Sequence, residues 1–294
     1  YLSSDKLNME VFVVDNNSVD GSVKMVRNKF PNVTLIENKT NYGFSKANNQ
    51  AIEKSNGRHI LLLNPDTVVE ESTLKKTVDF MDQNPDAGGL GVRMVDGKGN
   101  FLPESKRGLP TPKVAFFKIF GLSQLFPKSK FFGIYHLGYL NEYDINKVDV
   151  LSGAFLLFKR EVADKIGLLD EAFFMYGEDI DFSYRITEAG YNNYYYPDTS
   201  IIHYKGESTK KSSVNYVFIF YKAMVIFAQK HFSKNNAKIF SFAIHLAIYF
   251  RAFLAILNRF IKFSFPIILD LSIILFGLVA LTNHWKKMDI HFPE

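Results

Sequence analysis

The chain has 294 residues, 47% of them apolar, no cysteine, and 35 Lys and Arg against 30 Asp and Glu for a net charge of +5. That apolar share is ample for a packed core and excludes a disordered chain, while the missing cysteines exclude disulfides, thiolate metal sites and a thiol nucleophile and fit a reducing compartment. The mild basic excess suits anionic small molecules or a lipid surface and is too small to argue for nucleic acid.

The opening YLSSDKLN has no Met and reads as the end of a helix, so an N-terminal truncation is expected. EVFVVD (10–15) is the first strand, followed by a helix over about 20–30, the strand VTLIE (33–37), a helix over about 44–56, the strand HILLLN (59–64) and a helix over about 70–83. Continuous Val, Ile and Leu runs alternating with amphipathic segments predict an α/β fold, a mostly parallel, Rossmann-like sheet flanked by helices. Ligands of such sheets sit beyond the carboxyl ends of the strands, which puts Asp15-Asn16-Asn17 and Asn64-Pro65-Asp66 at one rim.

Past Pro85, GGLGVRMVDGKGNFL reads as a hairpin turning at Asp96-Gly97. Residues 103–147 are rich in Pro, Lys and Phe with poor periodicity and read as a lid or binding loop. VDVLSGAFLLFKREVADKIG predicts a strand and a helix, YGEDIDFSYR an acid-led helix, and YNNYYYPDTSIIHY a closing strand. The expected organisation is a catalytic domain over 1–213, a connecting helix over 214–236 and a membrane-associated tail over 237–294.

Within that tail, winding residues 238–262 at about 100° per residue gathers Phe242, Leu246, Phe250, Phe253, Leu254, Leu257, Phe260 and Ile261 on one face. Lys238, His245, Arg251, Asn258, Arg259 and Lys262 fall opposite, the pattern of a basic helix lying in a membrane interface. The apolar stretch 264–283 carries only Asp270 and is long enough to cross a bilayer, although a mid-depth Asp costs about 3 kcal/mol. A re-entrant hairpin and a helical subdomain packed in protein are the alternatives.

Several polar residues carry chemistry. Asp66, stiffened by Pro65 at the end of an apolar strand, suits a divalent cation, Mg²⁺ or Mn²⁺, holding a nucleotide diphosphate; the alternative is a cap for the following helix. Asp15 can accept from a uracil or thymine imide, while Asn17 and Ser18 are placed to cap the next helix, with Asp20 and Gly21 finishing the turn. Glu178, Asp179 and Asp181 open one helix, where its dipole favours acids, and Asp181 is spaced to pair with Arg185 on the helix surface. Asp179, behind the aromatic turn FFMYG, is chosen as general base against a sugar hydroxyl. His203 ends the last strand, as a packed structural residue or as a metal partner of Asp66.

Taken in order, VVDNNSVDGS, NYGFSKANNQAI, LLLNPDT, LSGAFLLFKREV, GLLDEAFFMYGEDIDFSYR and IIHYKGES resemble the family-2 glycosyltransferases, most of all their bacterial rhamnosyltransferase-like members, over about residues 10–210. The resemblance implies a GT-A fold and transfer of a sugar, with inversion, from a nucleotide-diphosphate sugar (dTDP-rhamnose or a UDP-sugar) to a glycan or polyprenyl-linked acceptor. It implies work in cell-surface polysaccharide synthesis at the cytoplasmic face of the plasma membrane, with a divalent cation as cofactor and no nucleic-acid partner. Residue by residue, Asp15, Asn17, Gly43, Asn48 and Asn64 match the nucleotide-contacting positions, and Asp66 and His203 the metal ligands. Gly153, Ala154 and Phe155 match a loop at the acceptor and donor sugar, and Glu178-Asp179 the catalytic pair, with Asp179 as base. Two departures stand out: Asn64 replaces the first acid of the family's Asp-x-Asp motif, and the family's first strand is missing. Lys113, Lys118, Lys128 and Lys130 are expected near anionic headgroups or a lipid diphosphate. The second reading is a nucleotide-sugar-binding module that has lost catalysis and keeps a membrane tether.

Overall fold

The computed structural model describes residues 7–204, 214–232 and 234–287. The chain divides into two compact units, Tyr1–Ala243 and Ile244–Glu294. In chain order the first holds β1 (Phe12–Asp15), α1 (Ser22–Lys29), β2 (Thr34–Glu37), α2 (Phe44–Lys54), β3 (His59–Leu63), β4 (Thr67–Val69), α3 (Thr73–Gln83) and β5 (Ala87–Val95). There follow α4 (Pro112–Ile119), α5 (Leu122–Leu125), β6 (Asn146–Val148), β7 (Phe155–Lys159), α6 (Arg160–Ile166), α7 (Glu178–Glu188), β8 (Asn192–His203) and α8 (Val214–His231).

The strands form two sheets. β1 and β2 pair in parallel, and a six-stranded sheet runs β3-β7-β5-β8-β4 with β6 also on β8. The expectation of a mostly parallel sheet is corrected: among the described residues, besides β1 with β2 only β5 with β8 is parallel, while β7 lies antiparallel between β3 and β5 and both β4 and β6 run antiparallel to β8. The physical reason is that an apolar run reports burial and not direction. FLLFK of β7, whose first four residues are buried, reads the same in either orientation.

Alternation along β7 feeds two core clusters. Leu156 and Phe158 join Ile60, Leu62, Phe182 and Tyr195, whereas Phe155 and Leu157 join Met81, Leu90, Met94 and Ile201. The turn expected at Asp96-Gly97 forms, closed by a single antiparallel bridge of Val95 with Phe101. The segment expected as a lid holds a short 3-10 turn at Pro103–Ser105, then α4 and α5, with Thr111 capping α4.

Two tail segments were expected, and one unbroken helix is found, α9 (Lys234–Lys287), which passes through Pro266. Of its expected apolar face, Phe242, Leu246, Phe260 and Ile261 are exposed. Its stretch Phe263–Lys286 is long and apolar enough to cross a membrane, and none of that span is buried. α8 belongs to the first unit, where Ala223, Met224, Phe227 and Ala228 are buried.

Candidate active site

The first corner of the site is the end of β1. Asp15 Oδ2 accepts from the backbone N–H of Asn17 and of Ser18, both at 3.1 Å, closing an Asx turn in which Asn17 takes a left-handed φ of 70°. Neither Asn17 nor Ser18 caps α1: its N-cap is Gly21, and Asp20 takes the N–H of Ser22 instead. Asn16, which the sequence placed at the rim without a role, stitches this rim to the next loop, donating to the carbonyl of Gly43 at 3.0 Å and accepting from the N–H of Tyr42.

Gly43 has no alternative here. Its φ is 86°, and a Cβ would stand 2.4 Å from the carbonyl oxygen of Phe174, to which Phe44 N–H donates. α2 is thereby docked on the loop preceding α7, aided by Ser45 on the Phe173 carbonyl and by Asn49 on Leu169. Asn48, expected to line the nucleotide, spends its amide on the carbonyl of Phe44 one turn back.

The second corner is the turn from β3 to β4. Asp66 does not cap the following helix, which starts only at Thr73 after β4 intervenes. β4 pairs Thr67 with His203, and this register brings His203 Nε2 to 3.3 Å from Asp66 Oδ1, both side chains nearly buried. Two ligand atoms at about 2.1 Å from one divalent ion stand about 3 Å apart, so the pair fits as two ligands of such an ion. Among the described residues no three His, Cys, Asp or Glu side chains converge as a metal cluster. Asn64 does not face this pair with an acid; its N–H donates to the carbonyl of Ala154 and its carbonyl takes the Thr67 hydroxyl.

The third corner is the start of α7. Tyr176 and Gly177 both take left-handed φ angles, 66° and 87°, and turn the chain so that Glu178 and Asp179 open the helix. Asp179 Oδ2 lies 2.5 Å from Arg107 Nη2 and 3.4 Å from the N–H of Gly153, and Oδ1 accepts from Ile180 N–H. Arg107 also donates to the Leu151 carbonyl at 2.6 Å. Burial opposes its charge, but Asp179 and Tyr135 prevail and hold its pKa above the ordinary value. Arg107 was not singled out in the sequence; its only signal there is a cation in a stretch without acids.

Glu178 differs sharply from its neighbour. It is 7% exposed, its Oε2 has no hydrogen-bond partner, and burial followed by the Asp179 charge pushes its carboxyl up to about 8. At neutral pH it is therefore largely protonated. Ala154 and Phe155, expected at the sugars, have side chains in the core, so that of this loop only Gly153 borders Asp179.

The surface pair expected of Asp181 and Arg185 also needs correction. The pair forms at 2.7 Å, but Asp181 is 0% exposed because α8 covers it, with Lys230 at 2.8 Å and His231 at 2.6 Å. Burial works against its charge, yet Lys230, Arg185 and His231 together hold the carboxyl below its usual range. Among the lid lysines, Lys118 is drawn inward, 3.4 Å from the centre of the Tyr135 ring with its pKa lowered by burial, whereas Lys113, Lys128 and Lys130 are exposed. A cavity of about 330 Å³ between Thr111 and Val114 of the lid and Tyr184 and Thr187 of α7 is lined by Lys113 but by none of the expected catalytic, nucleotide, metal or sugar residues.

An α/β sheet with helices on its flanks, carrying acids at a strand-end turn and at a helix start, has the architecture of the GT-A-like transferases. The chain belongs to glycosyl transferase family 2, whose model matches residues 2–167. It is similar to an N-acetylglucosaminyl-diphospho-decaprenol L-rhamnosyltransferase of Mycobacterium tuberculosis, 26% identical over 235 residues that cover 76% of each chain. It is also similar to the low-salt glycan biosynthesis hexosyltransferase Agl10 of Haloferax volcanii, 26% identical over 78% of this chain and 70% of that one. Among solved structures, GalNAc-T7 with UDP, GalNAc and Mn²⁺ superposes with a TM-score of 0.52 at 16% identity, covering 75% of this chain but only 41% of that one, a likeness of fold. Glycosyltransferase activity is thus supported by the family and by relatives that act on glycan or lipid-linked acceptors.

Proposed function

We propose that the protein is an inverting glycosyltransferase that moves a sugar, rhamnose from dTDP-rhamnose or a sugar from UDP, onto a glycan or polyprenyl-diphosphate-linked acceptor at the cytoplasmic face of the membrane. The observation that carries it is the meeting of the Asp179 carboxyl with the Gly153 N–H and the Arg107 guanidinium at the mouth of α7, in a family-2 chain. The mycobacterial relative, named for rhamnosyl transfer to a diphospho-decaprenol-linked sugar, supports the lipid-linked acceptor.

In this reading Asp179 takes the proton from the acceptor hydroxyl as the hydroxyl oxygen attacks the anomeric carbon from the face opposite the diphosphate. Arg107 orients the carboxylate, and protonated Glu178 spares it a second negative charge. Asp66 and His203 would hold a divalent cation, which when bound would supply charge neutralisation for the departing diphosphate. Asp15 and the backbone turn at Asn17 and Gly43 receive the nucleotide. The exposed Phe263–Lys286 stretch tethers the chain to the membrane.

The test is sugar transfer by the full chain from a panel of dTDP- and UDP-sugars with Mn²⁺ or Mg²⁺ to a polyprenyl-diphosphate-linked sugar. Transfer that vanishes in Asp179→Asn, with donor binding kept in calorimetry, is the expected result. Donor binding without transfer by the unaltered chain would favour the non-catalytic binding module instead.

A further inference from the structure

The lid carries a feature that the transfer chemistry leaves unused. Between Glu104 and Glu142 there is no acid, while Lys106, Arg107, Lys113, Lys118, Lys128 and Lys130 are all cations. Lys106, Arg107 and Lys118 are drawn into the protein, the first onto the Leu137 and Leu140 carbonyls, the second onto Asp179, the third onto Tyr135. The other three stay outside, among aromatic rings.

Those rings make one continuous ridge. Phe116 stacks on Phe120 at 4.4 Å between centroids, Phe117 on Phe131 at 5.1 Å, Phe131 on Phe132 at 5.0 Å and Phe132 on Phe126 at 5.4 Å, so residues on both sides of α5 are joined ring to ring. Phe117 at the centre of the ridge is buried and Phe132 half-buried, while Phe116, Phe120, Leu125, Phe126 and Phe131 around them are exposed large apolar side chains. Lys113 Nζ stands 3.7 Å over the Phe131 ring, and Lys128 and Lys130 lie between Phe126 and Phe131 in the chain. A contiguous exposed apolar patch marks an interaction surface. Aromatic rings amid lysines, with no carboxylate, match a headgroup region in which rings reach the acyl boundary and ammonium groups meet lipid phosphates.

We propose that the Phe ridge of residues 112–132, with Lys113, Lys128 and Lys130, is a docking surface for an anionic lipid bilayer. It extends membrane contact from the tail into the catalytic unit and does not depend on the role given to Asp179. Because the same segment runs back through Lys118, Tyr135 and Arg107 to Asp179, seating the ridge on the bilayer sets the height of the reaction centre above it.

The absence of cysteine makes Leu125→Cys a unique labelling site, and Trp285 is the single tryptophan, so ridge and tail can be watched separately on one full-length chain. With a polarity-sensitive dye at position 125 and vesicles of phosphatidylglycerol and phosphatidylcholine, the dye emission is expected to shift to the blue, and much less so on phosphatidylcholine alone. Replacing Lys113, Lys128 and Lys130 by Gln is expected to raise the lipid concentration at half-shift by roughly a hundredfold at low salt. A vesicle-induced change at Trp285 with a silent dye would overturn the ridge while keeping the tail. A dye shift with Trp285 silent would support the ridge and remove the tail. A shift that grows with protein concentration in the absence of vesicles would identify a second copy as the occupant and overturn the proposal.

Discussion

Arg107 and Asp179 form a nearly buried ion pair, 2.5 Å from Nη2 to Oδ2, that joins the lid to the first turn of α7. Removing one member of such a pair leaves the other charged and desolvated, so Arg107→Ala should lower the unfolding free energy by about 3 kcal/mol. Arg107→Lys keeps a charge but loses the fork that serves both Asp179 and the Leu151 carbonyl. Its expected signature is a fall in kcat of about tenfold with a stability loss below that of the alanine variant, read by steady-state kinetics and chemical denaturation.

Asp179 and Glu178 should separate cleanly on amide substitution. If Asp179 is the base, Asp179→Asn loses about 10²–10⁴-fold in kcat with the fold intact. Glu178→Gln replaces a protonated carboxyl by a near isostere and should retain activity at neutral pH. A Glu178→Gln variant as inactive as Asp179→Asn would reverse the assignment.

The same substitution has a pH signature in stability. The native carboxyl of Glu178 is raised to about 8 from 4.5, so between those values the folded chain holds a proton that the unfolded chain releases, and stability falls as pH rises. Glu178→Gln removes that loss. Relative to the unaltered protein its advantage should be absent below pH 4.5, grow through pH 7 and level off above 8, reaching on the order of 2–4 kcal/mol in urea unfolding.

Asp181 titrates with the opposite sign. Its carboxyl is held below 3.8 despite burial, so the stability it contributes is complete above 3.8 and is lost as pH falls through its lowered native value. Asp181→Asn should cost about 2–4 kcal/mol at pH 7 and much less in strong acid, where the carboxyl is neutral anyway. An equal deficit at both pH values would mean that packing, not charge, is what Asp181 provides.

For the Asp66 and His203 pair, the measurement is nucleotide affinity with and without metal. Asp66→Ala and His203→Ala should each weaken UDP or dTDP binding about tenfold in Mn²⁺ and leave binding in chelator unchanged. Losses that persist in chelator would assign the pair to holding the β4 and β8 register instead.

Much of this site could be read from the chain because its signals are local. LLLNPDT announces a strand that stops on a rigid acid, and YGEDIDF an acid-led helix after a left-handed turn; both are decided within a few residues of themselves. What could not be read depends on contacts distant in sequence. The direction of β7 is set by its two neighbours, the burial of Asp181 by a helix some 50 residues later, and the partner of Arg107 by a residue 72 positions away. Phe155 shows the same limit from the other side: two residues after Gly153, it points by strand alternation into the core.

The seat of α8 on α7 gives His231 a meaning as a boundary. A chain cut just after Phe232 would keep Lys230 and His231 on Asp181, two residues from the proposed base, and would lose α9, the proposed tether. A cut a dozen residues earlier would strip a buried carboxylate of two counter-charges and also remove Phe227, whose ring packs on Tyr184 of α7. The first product would be an untethered enzyme and the second a damaged one, although their lengths differ by barely a few turns of helix.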